Sequence, residues 1–415
     1  MSIYGFSTWT SLFGGGPIRV TTYEFASSNS FTGTTYELTL LNTLTADYFV
    51  LISGHYSVHG NGTDASYVQV YEDPFGTGDL GTSSGGTKLG LRRDATGGNE
   101  WEGTVTVVES QNPGADAFQL VDVLIPQFAA APGASPQDIT DTSTAWSDIN
   151  QVAIFGGHRG GGVRLQGPGG NEYTEAYCRI WPSSTATVNL RRRAQAGLAN
   201  FSALDVTCYV VEWGANWTVQ RVNVTGNNAG AGVNATGEYN TAAINSAVRN
   251  NTWVWASGTI DASGTGGNVD GEPGASVVTL GDGVNQNASE TTVAAGTEVD
   301  QGGVGHDAEV YVMEHTDLVV DYRFHADADD SDPHALTVDG TSGSESYDEV
   351  SNPRTTEGNR LGLVYGSADP TGADWWKVIH HQRHTADTTL TIGREGTGYA
   401  WAGWVQSVDF TDVAA

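Results

Sequence analysis

The sequence predicts an all-β fold of tandem β-sandwich modules, jelly-roll or Ig-like in type, in about four related repeats. Three observations predict it. Helical periodicity is nearly absent, runs of β-branched and aromatic residues are punctuated by Gly, Asn, Asp and Ser clusters, and one strand grammar recurs along the chain. At 415 residues the chain is also too long for one core, because hydrophobic cores stop growing at roughly 250–300 residues.

In chain order the strand candidates are 48–52, 67–71, 104–108, 152–155, 206–211, 310–313 and 401–408, whose Val, Ile, Thr, Tyr, Phe and Trp side chains suit a pleated, half-buried surface. Only TAAINSAVR at 241–249 reads as a short helix. The repeating grammar is an apolar strand ending in a small-residue turn, a polar excursion, a Thr-rich strand, a Gly-bearing loop, and an aliphatic strand closing on an acid or amide. Its openings are DYFVLISGHY (47–56), QVAIFGGHRG (151–160), TWVWASGTID (252–261) and RLGLVYGSAD (360–369). Its closings are TVTVVES (104–110), TCYVVEW (207–213), EVYVMEH (309–315) and GWVQSVD (403–409). Between them, TKLGLRRDATGGNEW, TVNLRRRAQAGLANF and TLTIGREGTGYAW each place Arg before a Gly-bearing turn and an aromatic residue after it; the third copy departs. The closings recur about every 90–105 residues, the size of one compact sandwich.

Stretches at 126–145, 225–240 and 327–359 are rich in Pro, Gly, Ser or acids, lack period, and read as linkers. They divide the chain into modules at 1–127, 128–232, 233–330 and 331–415. On that division, removing 332–415 leaves three folded modules.

The charge is strongly one-sided. With 48 acids against 18 bases, a formal net charge of −30, the chain is a poor partner for nucleic acid or anionic lipid. Lys occurs only at Lys88 and Lys377, and the composition resembles that of haloarchaeal proteins. At about 1 M salt the Debye length falls to roughly 3 Å and such a surface no longer repels itself. No run approaches the roughly 20 apolar residues of a membrane helix, and MSIYGFSTWTSLFGGG has no basic n-region, its first cation being Arg19, so neither membrane insertion nor an export signal is expected. Cys178 and Cys208 are too few for a disulfide framework, form no CxxC or zinc set, and are expected as reduced packing residues.

The candidate chemistry is sparse. Asp327, Asp329, Asp330 and Asp332 offer hard oxygen ligands to a structural Ca²⁺ or Mg²⁺, without the Gly turn and distal Glu of an EF-hand loop; a solvated acidic loop is the competing reading. No other cofactor is implied. His380, Gln382 and His384 share one face of a strand, and Trp375 and Trp376 follow a Pro-Thr-Gly-Ala turn, which makes these five residues the candidates for a host or subunit contact. Trp213 and Trp217, flanking GAN, stand where indoles can form a sugar-stacking platform or subunit anchor, with burial as the competing reading, whereas Trp181, Trp253, Trp255, Trp401 and Trp404 are expected in the core. His55 and His158 recur after equivalent turns, and Glu109, Glu212 and Glu314 close three repeats; recurrence of this kind points to structural duty. There is no GxSxG elbow, Walker loop, HExxH or dinucleotide fingerprint, and the expectation is a non-enzymatic protein.

The TKLGLRRDATGG and TVNLRRRAQAG strand-turn units, with the closing VTVVES and YVVEW strands, resemble the modular Gly- and Thr-rich β-sandwich proteins on the virions of tailed viruses, here with haloarchaeal composition. The resemblance covers the whole chain in style. It implies a capsid turret or decoration protein, or a tail-fibre or baseplate component, displayed on the virion surface after assembly in the host cytoplasm. It further implies a symmetric homo-oligomer, contacts with other virion proteins, and contact with a host cell-surface glycan or S-layer. No receptor-site residue carries over, because no motif here matches one. The competing readings are a secreted haloarchaeal sugar-binding adhesin or lectin and a polysaccharide-degrading tail spike.

Overall fold

Strands form where β-branched and aromatic residues concentrate, and the Gly, Asn and Ser clusters between them supply the turns. The computed structural model describes residues 16–25, 31–56, 67–72, 74–75, 84–94, 101–132, 135–166, 176–192, 200–227, 239–261, 277–283, 287–296, 305–326, 344–348, 359–368, 380–386, 389–394 and 401–413. Among the described residues the structure is β-strand, broken by single 3-10 turns such as Ile149–Gln151 and Arg249–Asn251.

The first unit contains β1 (Ile18–Phe25), β2 (Thr35–Thr39), β3 (Tyr48–Tyr56), β4 (Gln69–Glu72), β5 (Lys88–Arg92) and β6 (Trp101–Ser110). They pair antiparallel as two three-stranded sheets, β1-β6-β3 and β2-β5-β4. The second contains β7 (Phe118–Leu124), β8 (Gln127–Phe128), β9 (Ala131–Pro132), β10 (Gln137–Thr142), β11 (Val152–Gly156), β12 (Val163–Gln166), β13 (Arg179–Ser184), β14 (Thr187–Arg192), β15 (Asn200–Phe201), β16 (Ala203–Val206) and β17 (Cys208–Trp213). Its β7-β17-β11 and β10-β14-β13 sheets repeat the same order, with β8, β9, β12, β15 and β16 added beside them.

The third unit contains β18 (Thr218–Asn227), β19 (Asn240–Val248), β20 (Thr252–Asp261), β21 (Val277–Leu280), β22 (Ser289–Gly296) and β23 (Gly305–Glu314). The fourth contains β24 (Val319–Ala326), β25 (Ser344–Asp348), β26 (Arg360–Ala368), β27 (His380–Ala386), β28 (Thr389–Arg394) and β29 (Trp401–Asp409). Both restate the first, as β18-β23-β20 with β19-β22-β21 and β24-β29-β26 with β25-β28-β27. Even the register is kept: Tyr48 faces Glu109, Val152 faces Glu212, Thr252 faces Glu314 and Arg360 faces Asp409.

Pairing places the first strands of the units at Ile18, Phe118, Thr218 and Val319, every 100 or 101 residues. The sequence boundaries at 127/128, 232/233 and 330/331 therefore fall after the strand that opens each following unit. The physical reason is that the connections are short: the polypeptide passes from the last strand of one unit to the first strand of the next through 111–117, 214–217 and 315–318, and the long Gly-rich segments fall between strands of one unit. Residues 126–145, read as a linker, contain β8, β9 and β10. The 241–249 segment is not helical. It forms most of β19, with exposure alternating residue by residue along 240–245, because pairing with β22 overrides weak local propensity.

The last strand of each unit is central in its sheet and buried on both faces. In β6 only Glu102 and in β17 only Glu212 escape full burial, so these strands read as nearly continuous apolar runs. One face packs within the unit and the other meets a neighbour. Phe49 of β3 stacks on Phe155 of β11 with centroids 4.0 Å apart, and Phe155 lies 5.9 Å from Trp253 of β20. The seams close into a ring: β4 lies beside β12, β13 packs on β20 and β23, β21 on β26 and β29, and β27 on β3 and β6. Gly16 of the first unit also lies against the fourth, since a Cβ on it would be 3.5 Å from the Val413 carbonyl oxygen.

Candidate functional site

The polar chemistry of the described residues concentrates at these seams. Between the first and second units, Asp205 accepts from Arg92 Nη2 at 3.0 Å and from the amides of Gln127 and Gln166 at 2.7 Å each. Arg164 approaches the same carboxylate at 3.6 Å and Asp94 at 2.6 Å. Between the second and third, Arg179 Nε donates to Glu309 at 2.7 Å, Arg179 Nη1 lies 3.3 Å from Asp307, and Arg221 Nε lies 3.3 Å from Glu309. Burial pushes the Glu309 carboxyl up, and Arg179 and Arg221 pull it back. With their lone pairs occupied by fixed donors, Asp205 and Glu309 have no free oxygen to act as a general acid or base.

The acids that close the repeats are also taken. Glu109 accepts from Arg19 Nε at 2.8 Å and from the Thr45 amide, Glu212 accepts the Ser147 and Asp148 amides at 3.0 and 2.9 Å, and Glu314 accepts the Val248 amide at 3.0 Å. Each thus ties the loop leading into the third core strand of its unit, β3, β11 or β20, to the end of the last one. Asp409 departs from this, accepting from Arg360 at 3.4 Å and from the Thr411 amide at 2.8 Å. The recurring Arg before the Gly turn likewise has a packing role: Arg93 stacks 5.0 Å over Phe31 and donates to the Gly33 carbonyl, and Arg192 stacks 4.4 Å over Phe201 and donates to the Ser202 carbonyl.

Trp213 and Trp217 do not form a surface platform. They are 2% and 1% exposed, 4.3 Å apart, and packed with Phe118 and His315 where the second unit meets the third. The hydrophobic drive that buries a large indole outweighs the turn-like local sequence that suggested exposure. Trp253, Trp255 and Trp404 are core residues, whereas Trp181 is only half-buried, lying 4.3 Å under the Arg179 guanidinium. Cys178 and Cys208 are buried free thiols, and burial pushes Cys178 up to about 12 and Cys208 well above the usual range.

β27 carries His380, Gln382 and His384 at alternate positions, opposite Arg394, Ile392 and Leu390 of β28, and runs along the seam with β3 and β6. Asp327, Asp329, Asp330, Asp332, Trp375 and Trp376 lie outside the described residues. Among the described residues no group of three or more His, Cys, Asp or Glu is placed to hold a metal ion, and no helix is long and apolar enough to cross a membrane. A cleft of about 600 Å³ opens between the second and third units, lined by Asn150, Thr218, Gln220, Arg221 and Asn245 among apolar neighbours. Gln220 and Asn245 already bond to each other. The cleft offers hydrogen bonds but no acid–base pair and no nucleophile with its base.

No family model and no curated protein matches the chain. One solved chain, from the structure described as "The Triple Jelly Roll Fold and Turret Assembly in an Archaeal Virus", aligns at 9% identity over 75% of this chain and 89% of its own, with a TM-score of 0.13. A superposition that loose leaves the relationship weak and carries no argument about function.

Proposed function

We propose that the protein is a non-enzymatic structural component of a virus particle, displayed on the virion surface as a capsid turret or decoration protein or as part of a tail fibre or baseplate. The observation that carries this reading is the use of polar side chains: the seam carboxylates Asp205 and Glu309 are spent on Arg donors of a neighbouring unit, and Glu109 and Glu212, which close their repeats, on Arg and backbone donors inside their own units. A building block is selected for that arrangement, whereas an enzyme keeps one converging cleft with unspent acid, base or nucleophile. The acidic, Lys-poor composition suits display to a medium of high salt. Copies of the chain then assemble with one another and with other particle proteins, and the outward loops contact the host surface.

The test is immunogold labelling, with antibody to this chain, of particles purified from a lysate of cells carrying the gene. Gold on particle surfaces supports the assignment. Label confined to uninfected cell envelopes overturns it in favour of an adhesin, and release of reducing ends from host polysaccharide by the purified chain overturns its non-enzymatic part.

A further inference from the structure

The outer sheets of the four units share one topology but differ in the charge they carry. In the first, Glu37 of β2 is exposed and pairs with Lys88 of β5; in the second, Asp138 of β10 is exposed and pairs with Arg191 of β14. In the fourth, β25 carries Glu345 and Asp348. The third departs. Across β19, β22 and β21, with sequences NTAAINSAV, SETTVAAG and VVTL, the one charged residue is Glu290. It is 3% exposed, and it accepts from Arg249 Nη1 at 3.2 Å and from the Asn287 amide at 2.7 Å. In a chain with 48 acids, this outer sheet turns no charge to its surroundings.

The same sheet has a projection beside a hollow. The ladder of β19 with β22 breaks between Ala243 and Ala247, where three residues of β19 oppose one of β22, and Asn245 and Ser246 are exposed in succession. The Gln220 side-chain amide fixes this bulge, donating to the Asn245 carbonyl at 3.3 Å and accepting its N–H at 2.7 Å. The backbone there is satisfied, so a partner meets side chains and not a free strand edge. Beside the bulge lies the cleft of about 600 Å³, which Ala243, Ile244 and Asn245 share with β18 and the Ile149–Gln151 turn. Ile149, Val222 and Ile244 are only half-buried in it, and its one charged lining residue, Arg221, is turned to Glu309 and the Pro182 carbonyl. Val248, at the end of the same strand, is 44% exposed, unusual for a large aliphatic among the described residues.

We propose that two copies of the chain meet here about a twofold axis, the β19 bulge of each seated in the cleft of the other. The proposal rests on the reading that copies assemble with one another and names their contact. A projection and a hollow side by side suit an isologous interface, because the twofold sets each against its opposite in the second copy. Charge selects a second copy as the occupant. A twofold contact sets a patch against itself, so on the first and second outer sheets carboxylates would face carboxylates and be buried, a desolvation cost that salt does not relieve. The third sheet has no exposed carboxylate to bury, and covering Ile149, Val222, Ile244 and Val248 supplies the apolar drive.

Sedimentation velocity of the full chain in molar salt tests this, with a dimer, or a larger oligomer built of dimers, as the expected result. Ala243→Asp is expected to raise the dissociation constant at least about tenfold, since each copy would then bury an unpaired carboxylate. Asn245→Asp, which keeps the side-chain size and the backbone bonds to Gln220, gives a second reading should Ala243→Asp not fold. Thr140→Asp, at an exposed position of β10, is expected to leave association unchanged. A chain that stays monomeric at high concentration overturns the proposal, as does association that neither β19 variant weakens or that Thr140→Asp weakens equally. A monomeric chain whose Ala243→Asp variant drops out of purified particles also overturns it, and gives the surface to another particle protein. Immunogold labelling does not depend on which surface the copies share, so failure of this contact and failure of the virion assignment are read separately.

Discussion

At the scale of single residues, burial decides how much each closing acid matters. Glu109 is 1% exposed and holds Arg19, whereas Glu212 is partly open and its three donors can turn to water. Glu109→Ala is expected to cost about 3 kcal/mol and Glu212→Ala about 1 kcal/mol, measured by urea unfolding in molar salt; equal costs would refute the clamp. Glu309 adds a pH dependence of definite sign. Its folded pKa is raised above the usual 4.5 by burial, so the folded state holds the proton more tightly than the unfolded state. Its contribution is fully favourable below 4.5 and is lost as pH rises through the raised value. The stability of wild type relative to Glu309→Gln is expected to increase as pH is lowered from 7 toward 5, and a flat difference would show that the two arginines cancel the desolvation. The equivalence of Glu109, Glu212 and Glu314 was legible in the sequence because each ends the same aliphatic run. The Asp205 and Glu309 clusters were not, because their partners come from strands far apart in the chain.

At the scale of elements, the loop after β11 shows how a seam is built from backbone. Gly162→Ala must relieve both a left-handed φ and a 2.0 Å approach to the Val68 carbonyl, at an expected cost on the order of 3 kcal/mol. Amide exchange should then open first at Val70 and Val163, whose bonds cross this seam at 2.9 and 3.2 Å, and protection persisting there would contradict it. The sequence marks the Gly cluster as a turn. It says nothing of the first-unit strand against which the turn is pressed. β19 carries the same lesson in reverse: TAAINSAVR has reasonable local helical propensity, and only the partner strand β22 makes it a strand.

At the scale of the whole molecule, the units depend on one another. Removing 332–415 takes away Gln406, which brackets the Val254 amide and carbonyl at 2.9 and 3.2 Å, and the Tyr365 hydroxyl on the Ala256 amide. It also strips β24 of β29 and Trp253 of Phe410. The sequence division led to an expectation of three surviving modules; the seams instead lead to loss of cooperative unfolding and exposure of apolar surface in the truncated chain. Size-exclusion chromatography and dye binding in molar salt measure this, and a compact, dye-negative product would restore independent modules. The acidic surface acts on the whole ring. Dialysis from molar salt to about 50 mM is expected to reduce the β signal in circular dichroism, because 48 acids against 18 bases are then unscreened. An unchanged melting temperature across that range would rule the salt requirement out.

The sequence by itself determined the β class, the fourfold repetition and the structural character of the recurring acids, because alternation, turn residues and repeated motifs are local properties of the chain. The tertiary structure decided where each unit begins, that Trp213 and Trp217 are core, and that 241–249 is a strand. Those outcomes depend on which distant strand supplies the second face of a half-buried element, and sequence periodicity records that a face is apolar without recording what covers it.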